Sequence, residues 1–302
     1  MAETLWAIVP AIDLVEMTLD TCEDLLAQSL PTRVLLVDQG SSEGANDRFR
    51  QFAEAHHPRV VLWGFNPPLP SLSAAWNRGL EFVWATGGED ALVVNSDVRL
   101  RPDTASMLRA VQDNQVALFV SAVGVGAMEF EAAAKSSAAE LVGDLSSLGG
   151  PDFSCFLLTK EGHARYPFDE AFIPAFMEDC DAHRRYMLGG DGSRIFSVNL
   201  PFHHIKGGSR TINQSEEARA KFERLAGIGR AHYQRKWGGP PNQETFIKPF
   251  GGAPYAFKGV TNPELQARVQ AGIPVLETGV ELSAAEAFRA ALATVQPAKG
   301  VF

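Results

Sequence analysis

Five short apolar runs alternate with helical patterns through the first 120 residues, and nothing else in the chain restricts its fold as tightly. The runs are LWAIV (5–9), RVLLV (33–37), RVVLW (59–63), ALVVN (91–95) and VALFV (116–120). Helix-like stretches lie between them, around 14–29, 45–56, 72–85 and 103–113. A strand that stays apolar at successive positions is covered on both faces, and a helix between successive strands makes them parallel. The expected class is therefore α/β, a Rossmann-like, mostly parallel sheet sandwiched by helices. Ligands of such sheets bind in the crevice beyond the carboxyl ends of the strands. Polar residues just after each run are thus the first candidates for function.

Pro10, Ala11 and Asp13 follow the first run, and Asp38, Gly40, Ser41 and Ser42 end and follow the second. The third leads into GFNPPLPSLSAAWNRG (64–79), which holds Asn77; the fourth leads into NSDVRLRPD (95–103), which holds Asn95, Ser96 and Asp97. Each segment is also ordinary loop chemistry, since Asp-Gln-Gly-Ser makes a good turn and Asp97 can cap a bend. Further on, FMEDCDAHRRYMLGG (176–190) gathers Glu178, Asp179 and Asp181 ahead of a helical pattern. Acids in a first turn are stabilised by the helix macrodipole, and on composition alone that structural role accounts for them.

The alternation stops near residue 206. Before it, an Ala/Ser/Gly-rich stretch (125–150) gives way to strand character in DFSCFLLT (152–159). After it, helical patterns at 215–236 and 283–293 flank a Gly/Pro-rich segment. Two parts are expected: a sheet domain over 1–205, and a helical or irregular C-terminal extension over 206–302, packed on the core.

No apolar run nears the roughly 20 residues that span a bilayer, and MAETLWAIVPAID lacks the basic start of a signal peptide. Cys22, Cys155 and Cys180 match neither a metal spacing nor a disulfide framework, which fits reduced thiols and a cytoplasmic setting. Carboxylates flanking Cys180 raise a thiol pKa, so a thiol nucleophile is disfavoured there. A net charge of −9 argues against a chain that coats nucleic acid. Yet residues 206–258 carry ten Lys/Arg against four acids, a local excess that suits either an anionic ligand or a solvated helix.

Taken in order, several segments resemble the family-2-like, inverting nucleotide-sugar glycosyltransferases of GT-A fold, the rhamnosyltransferase-like branch above all. VLLVDQGSSEG (34–44) is similar to the family's VVVDNGSTDG segment, and NPPLPSLSAAWNRGL (66–80) to its Asn-x-Gly…Asn-x-Gly segment. ALVVNSDVRLRPD (91–103) resembles a version of the metal-binding Asp-x-Asp motif. FDEAFIPAFMEDCDAHRRYMLGG (168–190) and FHHIKGGS (202–209) resemble the catalytic Glu-Asp and closing His-x-x-Gly-Gly-Ser segments. These matches cover about residues 5–210. One later phrase, YQRKWGGPPNQETFIKPF (233–250), resembles segments of phage and bacterial sugar transferases.

The resemblance implies a UDP- or dTDP-sugar donor and a divalent cation, Mn²⁺ or Mg²⁺, at Asp97, with His203 or His204 nearby. Such cations take carboxylate oxygens together with substrate phosphates. Asn95 stands where the motif has its first acid, so it contributes no charge. Pro10, Ala11 and Asp38 would meet the nucleotide base, and Asn77, Asn95, Ser96, Lys206 and Ser209 the rest of the donor. Asp179 would be the general base and Glu178 would orient the acceptor, while Asp181 serves the helix start or pairs with Arg184 or Arg185. The acceptor stays open among an envelope glycan, a protein, a small molecule and a hydroxylated base in DNA. Two alternatives compete. A dinucleotide or S-adenosylmethionine enzyme needs glycines after the first strand, where VPAIDLVE (9–16) has none. A sugar-nucleotide-binding module without catalysis draws its support from Asn95.

Overall fold

The computed structural model describes residues 4–137, 140, 151–205 and 216–253. The first half runs β1 (Leu5–Ala11), α1 (Val15–Leu26), β2 (Thr32–Asp38), α2 (Glu43–Ala55), β3 (Val60–Gly64), α3 (Leu72–Ala85), β4 (Asp90–Val94), β5 (Val98–Arg99) and α4 (Thr104–Gln115). The second half runs β6 (Phe119–Val125), α5 (Ala127–Ala133), β7 (Cys155–Thr159), α6 (Lys160–Arg165), α7 (Glu178–Leu188), β8 (Ile195–His204) and α8 (Glu216–Trp237). One eight-stranded sheet has the order β3-β2-β1-β4-β7-β6-β8-β5. Six strands run in one direction; β7 and β5 are reversed.

The unbroken apolar runs are explained by two cores, one on each face of the sheet. Along β1, Leu5, Ala7, Val9 and Ala11 point into the first core, where α1, α2 and α4 supply Leu25, Phe49 and Leu108. Trp6 and Ile8 point into the second, beneath α3 and α7, with Trp76, Phe82 and Tyr186. Helix α3 is buried along nearly its whole length, and its Gly79 lies against β1: a Cβ there would sit 2.4 Å from Cγ2 of Ile8.

Two differences from the expected elements have local causes. The run at 116–120 starts its strand late, because Val116 adopts φ 51° as the cap that closes α4, and β6 begins at Phe119. The two-residue β5 falls inside the loop expected after β4, too short to show a period. The helical pattern at 283–293 lies outside the described residues. Among the described residues, no helix is long and apolar enough to cross a membrane.

The strand order reverses between β1 and β4, and there the sheet opens. Pairing of β1 with β2 continues to Ala11↔Asp38, but pairing with β4 ends at Ile8↔Val93. Ala11 accepts from the Gln39 N–H on the β2 side, so the ring nitrogen of Pro10 faces the β4 side, where the ladder has stopped. A residue without an N–H fits that position.

Gly79→Ala should lower stability by about 1–3 kcal/mol, because Ile8 is branched at Cβ and cannot swing its methyl group away. Equilibrium urea unfolding measures the loss, and a variant as stable as the parent would contradict the packing of α3 on β1.

Candidate active site

The loops beyond the parted strands are tied to one another. Asp13 (φ 51°) and Leu14 (φ 47°) are both left-handed. Asp13 accepts from the backbone N–H and hydroxyl of Ser42 at 2.9 and 2.7 Å, and its own N–H donates to Ser41 Oγ. Asp38 is buried at the end of β2. Its Oδ1 accepts the N–H groups of Gly40 and Ser41, and its Oδ2 accepts Asn46 Nδ2 at 2.6 Å. The carboxylate expected to meet a base is thus occupied in bracing its own turn. Pro10 and Ala11 are buried strand residues at the same edge.

A cleft of about 370 Å³ is lined by Asn95, His204, Glu178 and Asp179, together with Leu72, Trp76 and residues 151–154. Asn95 follows β4, and its N–H donates to Ser154 O. Ser96 lies in the turn that follows it, and Asp97 is held by the short β5–β8 ladder, where Val98 pairs with His204. His204 Nε2 lies 3.5 Å from Asp97 Oδ1. Consecutive strand residues point to opposite faces, and the ring of His203 instead sits 6.2 Å from that of Phe130. The two histidines are therefore separated, with only His204 beside Asp97 and the cleft. Lys206 and Ser209 lie outside the described residues.

Asn77, expected at the donor, is committed elsewhere. Its Nδ2 donates to Phe168 O and Glu170 Oε1, and its Oδ1 accepts Phe168 N–H and faces His163 Nε2. Trp84 Nε1 donates to His163 Nδ1, which makes Nε2 the protonated nitrogen. An amide has two donors and two acceptor sites, and all four are used. Burial holds His163 neutral, with its pKa lowered to about 3. Asn77 is a pin between α3 and the Phe-Asp-Glu segment.

That segment leads to the acids through a strained turn. Phe176 and Met177 have φ 82° and 74°, a left-handed pair without glycine, at a cost of about 1–2 kcal/mol each. Helix α7 then starts with Glu178 and Asp179. Asp179 accepts the Cys180 N–H at 2.7 Å and is partly exposed to the cleft. Glu178 is buried; desolvation first, and then the charge of Asp179, push its pKa up to about 8. One carboxyl therefore keeps its proton near neutrality while its neighbour faces the open cleft. Burial, and then Asp179, push the Cys180 thiol up to about 12, so little reactive thiolate is present in the folded chain near neutrality. Asp181 turns away to Arg185 at 2.8 Å and to the C-terminal helix.

Three buried polar atoms on cleft residues have no hydrogen-bond partner: Asn95 Oδ1, Glu178 Oε2 and Trp76 Nε1. Buried polar groups are almost always paired, so these three atoms leave hydrogen-bonding capacity on the cleft residues that a polar ligand could take up. Among the described residues, no group of three or more His, Cys, Asp and Glu side chains forms a self-sufficient cation site. The Asp97–His204 pair with the Asn95 amide oxygen does fit a hard cation that completes its shell with substrate phosphates.

Residues 151–154 carried no functional signal as sequence. The signal they could have given is direction: β7 is reversed, so its leading end lies at the edge where the other strands finish. Asp152 there accepts the N–H groups of Ser154 and Gly124.

The raised pKa of Glu178 links stability to pH. Below about pH 4.5 both folded and unfolded chains carry its proton; between there and about pH 8 only the folded chain does. Stability from this group is therefore lost as pH rises through that window. Glu81, pushed up to about 8 by burial, adds a parallel slope. The change in urea midpoint from pH 5 to 8 should be more negative for the parent than for Glu178→Gln, with the opposing slope of the neutral His163 common to both. Equal slopes would remove the buried, protonated Glu178.

Neither a family model nor a curated protein matches the sequence. Solved structures do match the fold. The mannosyltransferase PcManGT from Pyrobaculum calidifontis, in complex with GDP-Man and Mn²⁺, is 18% identical with a TM-score of 0.55, over 97% of this chain and 81% of that one. Glucosyl-3-phosphoglycerate synthase from Mycobacterium tuberculosis, with Mn²⁺, UDP and glucosyl-3-phosphoglycerate, is 18% identical with a TM-score of 0.54, over 79% and 81%. TarS 1-349 of S. aureus is 12% identical with a TM-score of 0.50, over 77% and 72%. The mixed sheet with helices on both faces is the GT-A glycosyltransferase fold.

Proposed function

We propose that the protein is an inverting glycosyltransferase that moves a sugar from a UDP- or dTDP-sugar to an acceptor hydroxyl. The carrying observation is the cleft, where Asp179 and the protonated Glu178 share a lining with Asn95 and His204, and three buried polar atoms lack partners. The likeness to structures holding GDP-Man or UDP supports the same reading.

In this reading Asp179 takes the proton from the acceptor hydroxyl as its oxygen attacks the anomeric carbon, and the bond from that carbon to the diphosphate breaks. The displacement is single and inverts the configuration. Glu178, still carrying its proton, hydrogen-bonds an acceptor or sugar oxygen. Asp97, with His204 and the Asn95 amide oxygen, would hold a divalent cation, whose chemistry is to neutralise charge on the departing diphosphate. Trp76, Leu72 and Phe153 supply apolar surface that keeps water from the reacting carbon.

The lining favours a neutral acceptor, such as a glycan or small molecule, over DNA. Asp152, Glu178 and Asp179 line the cleft and no Lys or Arg does among the described residues. Among the basic residues of 206–258, Lys236 is fully buried.

A thermal-shift screen of nucleotide sugars, with and without Mn²⁺, identifies the donor. Asp179→Asn should abolish transfer with donor binding kept; near-normal turnover would eliminate the base. Asp97→Ala should weaken donor binding only when Mn²⁺ is present. His204→Ala should do so more than His203→Ala, and the reverse ranking would undo the Asp97–His204 assignment.

A further inference from the structure

Lys236 of α8 is fully buried, which is rare for a lysine unless it is paired. Its Nζ lies 2.6 Å from Asp169 Oδ2 and 2.7 Å from Asp181 Oδ1, and both aspartates are fully buried. Trp237 Nε1 donates to the same Asp181 oxygen at 2.8 Å, and Arg185 pairs with the other. The ammonium also lies 5.4 Å from the centre of the Phe172 ring.

The two aspartates bracket one stretch of chain, and that stretch contains the left-handed Phe176–Met177 turn, Glu178 and Asp179. Between the clamped ends, α8 presses on the middle. A Cβ on Gly229 would lie 2.7 Å from Phe176 O and 3.0 Å from Ala175 O, so the helix backbone touches the turn. Gathering two aspartates around a dry ammonium carries a large desolvation cost, and a simple apolar contact would anchor a helix as well. What the ion cluster adds is a fixed position for both ends of the loop.

We infer that Lys236 is a positioning residue for the Glu178–Asp179 pair, and that α8 belongs to the catalytic apparatus through the clamp it forms on Asp169 and Asp181. Its catalytic consequence rests on the proposed glycosyl transfer; its structural consequence does not. Releasing the clamp lets the strained turn relax and moves the acids, while the loop bearing Asn95 and Asp97 stays in place.

Cys180 provides a readout that needs no substrate. It is partly exposed beside Asp179, whereas Cys22 and Cys155 are fully buried. Iodoacetamide labelling of the full-length native chain, resolved by peptide mass, therefore reports on this turn. Lys236→Met should speed Cys180 labelling at least about tenfold by raising the open fraction of the turn. It should also lower kcat about 100-fold, with the KM for the nucleotide sugar found in the donor screen little changed. Where Lys236→Met alone fails to fold, the double variant Asp169→Asn/Lys236→Met keeps the Asp181–Arg185 pair balanced. Trp237→Phe, which deletes one hydrogen bond to Asp181, gives a milder form of both effects and decides the matter should neither fold. Labelling and kcat at the parent values in a folded variant, with only a lower melting temperature, would reduce Lys236 to a structural anchor and overturn the inference. Faster labelling in a chain that transfers no sugar would leave the clamp standing and remove the proposed reaction instead.

Discussion

The carboxyl edge of the sheet is shaped by the unequal pairing of β1. Two parallel neighbours hold the strand, but one ladder stops three residues before the other and leaves a wedge between β1 and β4. The buried apolar strands make the sheet rigid enough to keep this wedge open. The loops are then fixed by short polar links, Asp13 to Ser42 and Asp38 to Gly40, Ser41 and Asn46. A sheet with both cores packed leaves its polar chemistry one edge on which to gather.

The fold was legible because its governing signal is local. Runs that are apolar at nearly every position can be read without knowing their neighbours, and they mark β1 to β4 to within a residue or two. The reversed β7 and the two-residue β5 were not legible in the same way, since direction and register are properties of a pair of strands. The site divides along the same line. Glu178, Asp179, Asn95 and His204 stand next to recognisable element ends, and the structure brings them into one cleft. Asn77 and Asp38 have the right residue types in the right places, yet their polar atoms are committed to Phe168 and to a tight turn. No sequence pattern distinguishes an amide that binds a ligand from one that binds a backbone ninety residues away.

Buried charge is treated in two opposite ways in this molecule. Asp181 is stabilised as an anion: burial opposes its ionisation, and Arg185 with Lys236 outweighs that and holds its pKa below the usual range. Glu178, three residues earlier on the same helix, is buried with a carboxylate beside it and holds its proton. One helical turn thus carries a permanently charged anchor and a neutral donor, separated by which side of α7 faces α8. The structural account of acids in a first helical turn holds for Asp181, whose carboxylate is spent on Arg185, Lys236 and Trp237.

The left-handed turn at Phe176–Met177 also bears on the order in which the cleft is assembled. Every strand of the sheet lies upstream of residue 205, whereas the ammonium that clamps the turn arrives with residue 236. A nascent chain can therefore complete its sheet on the ribosome before its acid pair has anything to hold it. The acid pair is thus secured after the strands are made, when the last turn of α8 slots between Asp169 and Asp181.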